Sequence, residues 1–201
     1  VVVVGVASVA LLERVQPLHR SWLADHDDTT SDVLHAAGSI IPLVFAAAIV
    51  ETVQQRVGAS ALWPHDLSTP VQVVLAGCVI DLGLYAMHVA SHRHRALWRL
   101  HALHHSSERL YWLNGERRHP LSALVIGLPG LAIVVLFGAP PHVVGAWLGF
   151  VAVHLAFQHA NLDYRVGPLR RWLGVAESHR WHHKREYHDA EVNFGEVLLV
   201  W

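Results

Sequence analysis

Histidine supplies the chemistry in this sequence. The chain of 201 residues contains 18 histidines, and eight of them fall in three tight clusters: His88 and His92, then His101, His104 and His105, then His179, His182 and His183. All use the spacings i, i+3 and i+4, which on a helix put side chains on one face a turn apart. Each cluster can therefore aim two or three imidazoles at a common point. Neutral imidazole is a good metal ligand, and eight are too many for one tetrahedral or octahedral ion. They suit two ions with three or four protein ligands each, leaving open positions for O2. His159, in Gln158-His159-Ala160-Asn161, is placed for a ninth ligand or for a role behind the ligands. His154 would point to another helix face and is read as a packing residue. His119, just before Pro120, suits a helix cap or a substrate-facing position. His19, His26, His35, His65, His94, His142 and His188 read as surface or interfacial.

The elements that must hold these clusters are apolar. Segments 33–50, 71–92, 121–137 and 142–158 read as helices long enough, or nearly so, to cross a bilayer, and 1–12 reads as the remnant of another. A helix over 71–92 would be about 33 Å long, against a hydrocarbon thickness of about 30 Å. Its last turn, carrying His88 and His92, should therefore emerge from the membrane. Asp81, Tyr85, His88 and His92 form one stripe on that helix, so a carboxylate and a phenol are expected to take up the second N–H of the ligand histidines. Gly138-Ala139-Pro140-Pro141 breaks the chain and predicts that the helices on either side are antiparallel neighbours. Gly145 and Gly149 predict a close helix approach.

Composition fits this picture. With 53% hydrophobic and 15% charged residues the chain belongs with membrane proteins. A net charge of −1 gives no field to hold nucleic acid. A single cysteine, Cys78, excludes an intrachain disulfide framework and a four-cysteine zinc or iron–sulfur site. Twelve of the 15 Lys and Arg lie in 93–120 and 159–201. A two-span hairpin joins these segments, so they share a side, which the positive-inside rule makes cytoplasmic. Seven of the eight tryptophans lie outside the expected spans, as interfacial belts place them. The expected fold is an all-α integral membrane protein of four to five transmembrane helices, with a cytoplasmic helical cap carrying the histidine clusters. One domain covers residues 1–201, with its N-terminal helix and C-terminal tail read as truncated. The bacterial inner membrane and the endoplasmic reticulum are the expected locations.

From about Asp81 to Trp201 the chain resembles the fatty acid hydroxylase and sterol desaturase superfamily of membrane di-iron enzymes. The resemblance rests on His88 and His92, Leu97-Trp98-Arg99-Leu100-His101-Ala102-Leu103-His104-His105-Ser106, Arg118-His119-Pro120, His159-Ala160-Asn161, His179-Arg180-Trp181-His182-His183 and Asn193-Phe194-Gly195. Ser106-Ser107-Glu108 is similar to the alkylglycerol monooxygenase branch and to bacterial sterol-desaturase-like proteins. Val89 departs from the arginine that many members carry after the first histidine. The resemblance implies two iron ions, which zinc can replace in purified protein, held by His88, His92, His101, His104, His105, His159, His179, His182 and His183. Asp81, Tyr85, Asn161 and Asn193 would support those ligands. It also implies O2 as co-substrate and hydroxylation or desaturation of a C–H bond in a sterol, fatty acyl or ether lipid. No haem-binding His-Pro-Gly-Gly segment and no glycine fingerprint for a dinucleotide is present, so electrons would come from a separate cytochrome b5, ferredoxin or reductase.

Two other classes compete. A histidine-rich membrane metal (zinc) transporter would carry ionisable groups at mid-membrane in several helices, and only Asp81 qualifies. A zinc-dependent membrane hydrolase needs a general-base carboxylate beside the ligands, for which Glu177 is the candidate.

Overall fold

Apolar runs set the long elements, and three of them open on a proline. In a computed structural model, which describes residues 1–57 and 62–201 apart from the side chains of Leu43, Val57, Tyr187 and His188, the helices are α1 (Val2–Val15), α2 (Thr29–Val57), α3 (Thr69–Arg93), α4 (Arg95–His101), α5 (Pro120–Leu136), α6 (Pro141–His159), α7 (Ala176–His182) and α8 (Tyr187–Ala190). Pro70, Pro120 and Pro141 sit in the first turns of α3, α5 and α6, where a missing N–H costs nothing. His119 caps α5, its Nδ1 accepting from the Leu121 N–H at 3.2 Å.

Among the described residues three helices are long and apolar enough to cross a membrane, spanning Thr29–Arg56, Thr69–Arg93 and Pro141–His159. α5 is also apolar but shorter, with 17 residues. The protein is an all-α membrane protein. The 14 residues of α1 lie against α6.

α3 is the central post, and both α5 and α6 pack on it. The tightest crossing is between α3 and α5: a Cβ at Gly83 would sit 2.5 Å from Gly130 Cα, and one at Gly130 would sit 2.8 Å from Ile80 Cα. Two backbones touch here because neither residue has a side chain. The glycines picked out by spacing on α6 do something else. A Cβ at Gly145 would meet nothing within 4 Å, and one at Gly149 would make an ordinary 3.4 Å contact with Val2. The expected α5–α6 pairing also needs correction. The chain reverses through Gly138, at φ 86°, but α5 and α6 make almost no direct contact along their lengths. α3 supplies the packing surface for both, and a cavity fills the gap between them.

At the histidine end, polar anchors fix the segments outside the spans. Asp32 in the first turn of α2 accepts from Tyr111 Oη (2.7 Å), Asn114 Nδ2 (3.0 Å) and Arg117 (2.7 Å). Asp81 on α3 accepts from the Val197 and Leu198 N–H groups and from Trp201 Nε1, at 2.9, 3.1 and 2.8 Å. A carboxylate inside an apolar helix is thus satisfied by tying down the C-terminal segment.

Gly83→Val should prise α3 from α5. Overpacking of this kind costs about 1–3 kcal/mol, so we expect a lower unfolding temperature in detergent and loss of bound metal, both measurable on purified protein. Gly145→Ala, in open space, should leave both unchanged.

Candidate metal centre

Nine histidines from four stretches of chain meet beyond the ends of α3 and α6. His88 and His92 come from the last two turns of α3, and His159 is the last residue of α6. His101 ends α4, and His104 and His105 follow in a tight 3-10 turn. His179 and His182 lie on α7 and His183 caps it. They form two groups: His88, His92, His101, His105 and His182 in one, His104, His159, His179 and His183 in the other, with the ligand nitrogens of each group within 4.8 Å of one another.

Each His-x-x-His-His motif is divided between the groups. The i and i+4 members of one motif, His101 and His105, join the first group while His104 joins the second. The motif on α7 does the reverse, sending His179 and His183 to the second group and His182 to the first. These two clusters do not aim at one point, as the spacing suggests, but straddle two, whereas His88 and His92 both join the first group. The groups abut, with the His105 and His183 rings stacked at 4.5 Å between centroids.

The nitrogens face one another through Nε2. In the first group His182–His88, His101–His105 and His92–His105 are separated by 2.9, 3.1 and 3.2 Å. In the second, His183–His179, His179–His159 and His159–His104 are separated by 3.0, 3.1 and 3.2 Å. Their other ring nitrogens say what these contacts are. His88 Nδ1 lies 2.8 Å from the Phe194 carbonyl, His182 Nδ1 lies 3.0 Å from those of Ala190 and Val192, and His159 Nδ1 lies 2.8 Å from that of Leu155. A carbonyl only accepts, so in each ring Nδ1 carries the hydrogen and neutral Nε2 is a bare lone pair. Between His88 and His182, two lone pairs therefore point at each other across 2.9 Å with no proton to share. That arrangement repels unless a cation lies between. Neighbouring nitrogens about 2.1 Å from one ion stand roughly 3 Å apart, so the spacing and the donor set both fit a bound transition metal. Burial, followed by repulsion from neighbouring imidazoles, holds His104, His105, His179, His182 and His183 well below their ordinary pKa, so they stay neutral and able to ligate.

A fatty acid hydroxylase family model matches residues 73–201, which include all nine histidines. The chain belongs to the fatty acid hydroxylase family. It is 35% identical over 206 residues to ornithine lipid hydroxylase OlsE of Rhizobium tropici, an alignment covering 98% of this chain and 62% of that protein. It is 30% identical over 131 residues to alkylglycerol monooxygenase of Danio rerio, covering 63% of this chain and 28% of the relative. The Caenorhabditis elegans alkylglycerol monooxygenase is 29% identical over 124 residues, covering 60% of this chain and 24% of the relative. The chain therefore spans under two thirds of the first of these relatives and about a quarter of the other two. No solved structure matches it.

Within this member of the hydroxylase family, the groups behind the histidines are not those that the sequence pattern suggests. Asp81 is engaged by the C-terminal segment, and Tyr85 makes no hydrogen bond to a cluster histidine. Asn161 pairs with the His19 backbone at 2.9 and 2.8 Å, away from the clusters. Asn193, at φ 55°, donates to the Ser178 carbonyl and ties the 190–194 carbonyls to α7. The acceptors are main-chain carbonyls, and the carboxylates nearby are Glu191, 3.5 Å from His92 Nδ1, and Glu196, 3.8 Å from His88 Nδ1. Burial pushes Glu196 up to about 7, against the pull of Arg118. Glu177 is turned to Arg170 at 2.9 Å and does not join either group. His154 is a packing residue, its Nε2 lying 2.7 and 2.9 Å from the Gly174 and Glu196 carbonyls.

A cavity of about 890 Å³ leads to the site. His101, His104, His159, Arg118 and Glu196 line one end, and apolar residues of α2, α3, α5 and α6 line its length.

The lowered imidazole pKa values fix a pH dependence. Unfolded histidine takes up protons near pH 6.5, whereas these five remain neutral in the fold to far lower pH. The unfolded state therefore binds more protons as pH falls, so their contribution to stability is complete above about 6.5 and lost progressively below it. Metal retained after gel filtration and the unfolding temperature should both fall together between pH 7.5 and 5, roughly the window set by that value.

Proposed function

We propose that the chain is an O2-dependent di-iron lipid oxygenase, hydroxylating or desaturating a C–H bond of a sterol, fatty acyl or ether lipid. The observation that carries this is the pair of groups of converging imidazole nitrogens set side by side, with the Nε2 atoms of His88, His182 and His159 unprotonated. The family match supports it, as do relatives whose names describe a lipid hydroxylase and alkylglycerol monooxygenases. For hydroxylation the balance is RH + O2 + two electrons + two protons giving ROH + H2O. Two iron ions, one in each group, would supply the redox chemistry that activates O2 towards an unactivated C–H bond.

The chain's residues do the rest. Nine neutral ligands hold the ions without neutralising their charge, and the carbonyls of Leu155, Ala190, Val192 and Phe194 lock the orientation of His159, His182 and His88. The cavity delivers an apolar chain from the bilayer and keeps water from the reacting carbon. Electrons come from a separate cytochrome b5, ferredoxin or reductase. Residues 1–201 act as one domain, and the basic segments beside the histidines support a site on the cytoplasmic face.

Membranes from cells expressing the protein, incubated with ¹⁸O2, should yield a lipid carrying one heavy oxygen by mass spectrometry, or a lipid with one more double bond. His104→Ala and His182→Ala, one from each group, should abolish either product while the protein still inserts. Turnover retained by either variant would count against the assignment.

A further inference from the structure

The cavity beside the metal centre is polar at both ends and apolar between. Its wall on α6 is Pro141, Val144, Gly145, Leu148, Val151, Leu155 and His159, a stripe about 27 Å long at 1.5 Å per residue. At the end farthest from the histidine groups stand Glu51, Gln54, Gln55 and His65. Gln54 Nε2 donates to the Ala139 carbonyl at 2.8 Å, which fixes this end beside the α5–α6 turn. At the histidine end stand Arg118 and Glu196. Among the described residues, Arg118 is the one Lys or Arg lining the cavity.

Arg118 is under-used by the protein. Its side chain is about three-quarters buried, with 24% exposed. One terminal nitrogen meets Glu116 at 2.7 Å, while Nε is buried without a hydrogen-bond partner. Nε is closed off from the cavity, but the side chain lines it, and among the described residues Glu116 is the only hydrogen-bond partner of the guanidinium. The far end offers no such group, and each end carries one carboxylate, Glu51 at the far end and Glu196 at the histidine end, so the cation is what distinguishes them. An all-imidazole ligand set leaves the charge of bound ions uncompensated, so the histidine end also attracts anions.

We propose that Arg118 binds an anionic head-group oxygen of the lipid, carboxylate or phosphate, at the metal end, so that the carbons presented for reaction are those next to the head group. The chain of the lipid then runs away from the metals between α5 and α6 towards Glu51, and its terminal methyl lies far from them. The direction of attack rests on the oxygenase reading, whereas the orientation of the bound lipid does not.

Spin-labelled stearate and a spin-labelled lysophosphatidate of the same chain length test this on the full chain loaded with Co(II), with the nitroxide placed beside the head group or beside the terminal methyl. The head-side label should be relaxed by the metal more strongly than the tail-side label. Stearate and lysophosphatidate compared directly tell which anion is preferred, and stearate should bind more tightly than its methyl ester. Arg118→Gln should weaken binding roughly 10- to 100-fold, the range of a charge-assisted hydrogen bond, and Arg118→Lys should recover part of it. Because Arg118→Gln frees a carboxylate, the double variant Arg118→Gln/Glu116→Gln should show the same loss while keeping wild-type metal content. Gly145→Trp, projecting into the apolar stretch, should weaken binding of long chains without reversing the order of the labels. A tail-side label relaxed more strongly, equal binding of acid and ester, or unchanged affinity in the double variant would overturn the proposal. Head-first binding by a protein that oxidises no lipid would instead overturn the oxygenase reading alone.

Discussion

Lone pairs held face to face are the constraint on which this structure depends. His88 and His182 each spend their one ring hydrogen on a main-chain carbonyl, which leaves two unprotonated nitrogens 2.9 Å apart. His159 likewise spends its hydrogen on the Leu155 carbonyl and turns a bare Nε2 towards those of His104 and His179, 3.2 and 3.1 Å away. Nothing in the protein relieves that repulsion, and solvation cannot, because these rings are buried. A cation between them does. The division of each His-x-x-His-His motif between the two groups adds a second constraint, since neither motif can shift without disturbing both.

The surrounding architecture holds that arrangement in place. α3 and α6 bring His88, His92 and His159 to the same level, and the Gly83–Gly130 crossing lets α5 lie against α3. The other six histidines come from segments outside the spans, which need anchors of their own. Asp32 anchors 111–117, and Asp81 anchors the C-terminal segment that follows the carbonyls orienting His88 and His182. Two acidic residues within apolar helices are thus explained by what they hold. Because α5 and α6 separate after packing on α3, the same scaffold that places the histidines also opens a path to them.

Much of this was legible in the sequence. Apolar runs opened by Pro70, Pro120 and Pro141 mark three helices within a residue or two of their observed starts, and spacing singles out eight of the nine grouped histidines, while the position of His159 at the end of a span left it open between ligand and supporting residue. What spacing could not give is the partition between groups: His101 ends a helix and His104 begins a 3-10 turn, so the uniform helical face assumed for that motif does not exist, and the motif on α7 is divided although His179 and His182 share one helix. The hydrogen-bond acceptors were hidden for a different reason: they are backbone carbonyls, which no side-chain pattern encodes. Glu191 and Glu196 escaped notice because they lie in irregular chain, where no periodicity relates them to α3. The α5–α6 gap was missed because a tight turn fixes only where two helices meet. What keeps them apart is their shared packing on α3.

Iron-edge anomalous scattering from crystals of the iron-loaded protein tests the central claim most directly. The account predicts two peaks, one among the Nε2 atoms of His88, His92, His101, His105 and His182 and the other among those of His104, His159, His179 and His183. A single peak, or iron bound away from these nitrogens in protein with intact histidines, would contradict it.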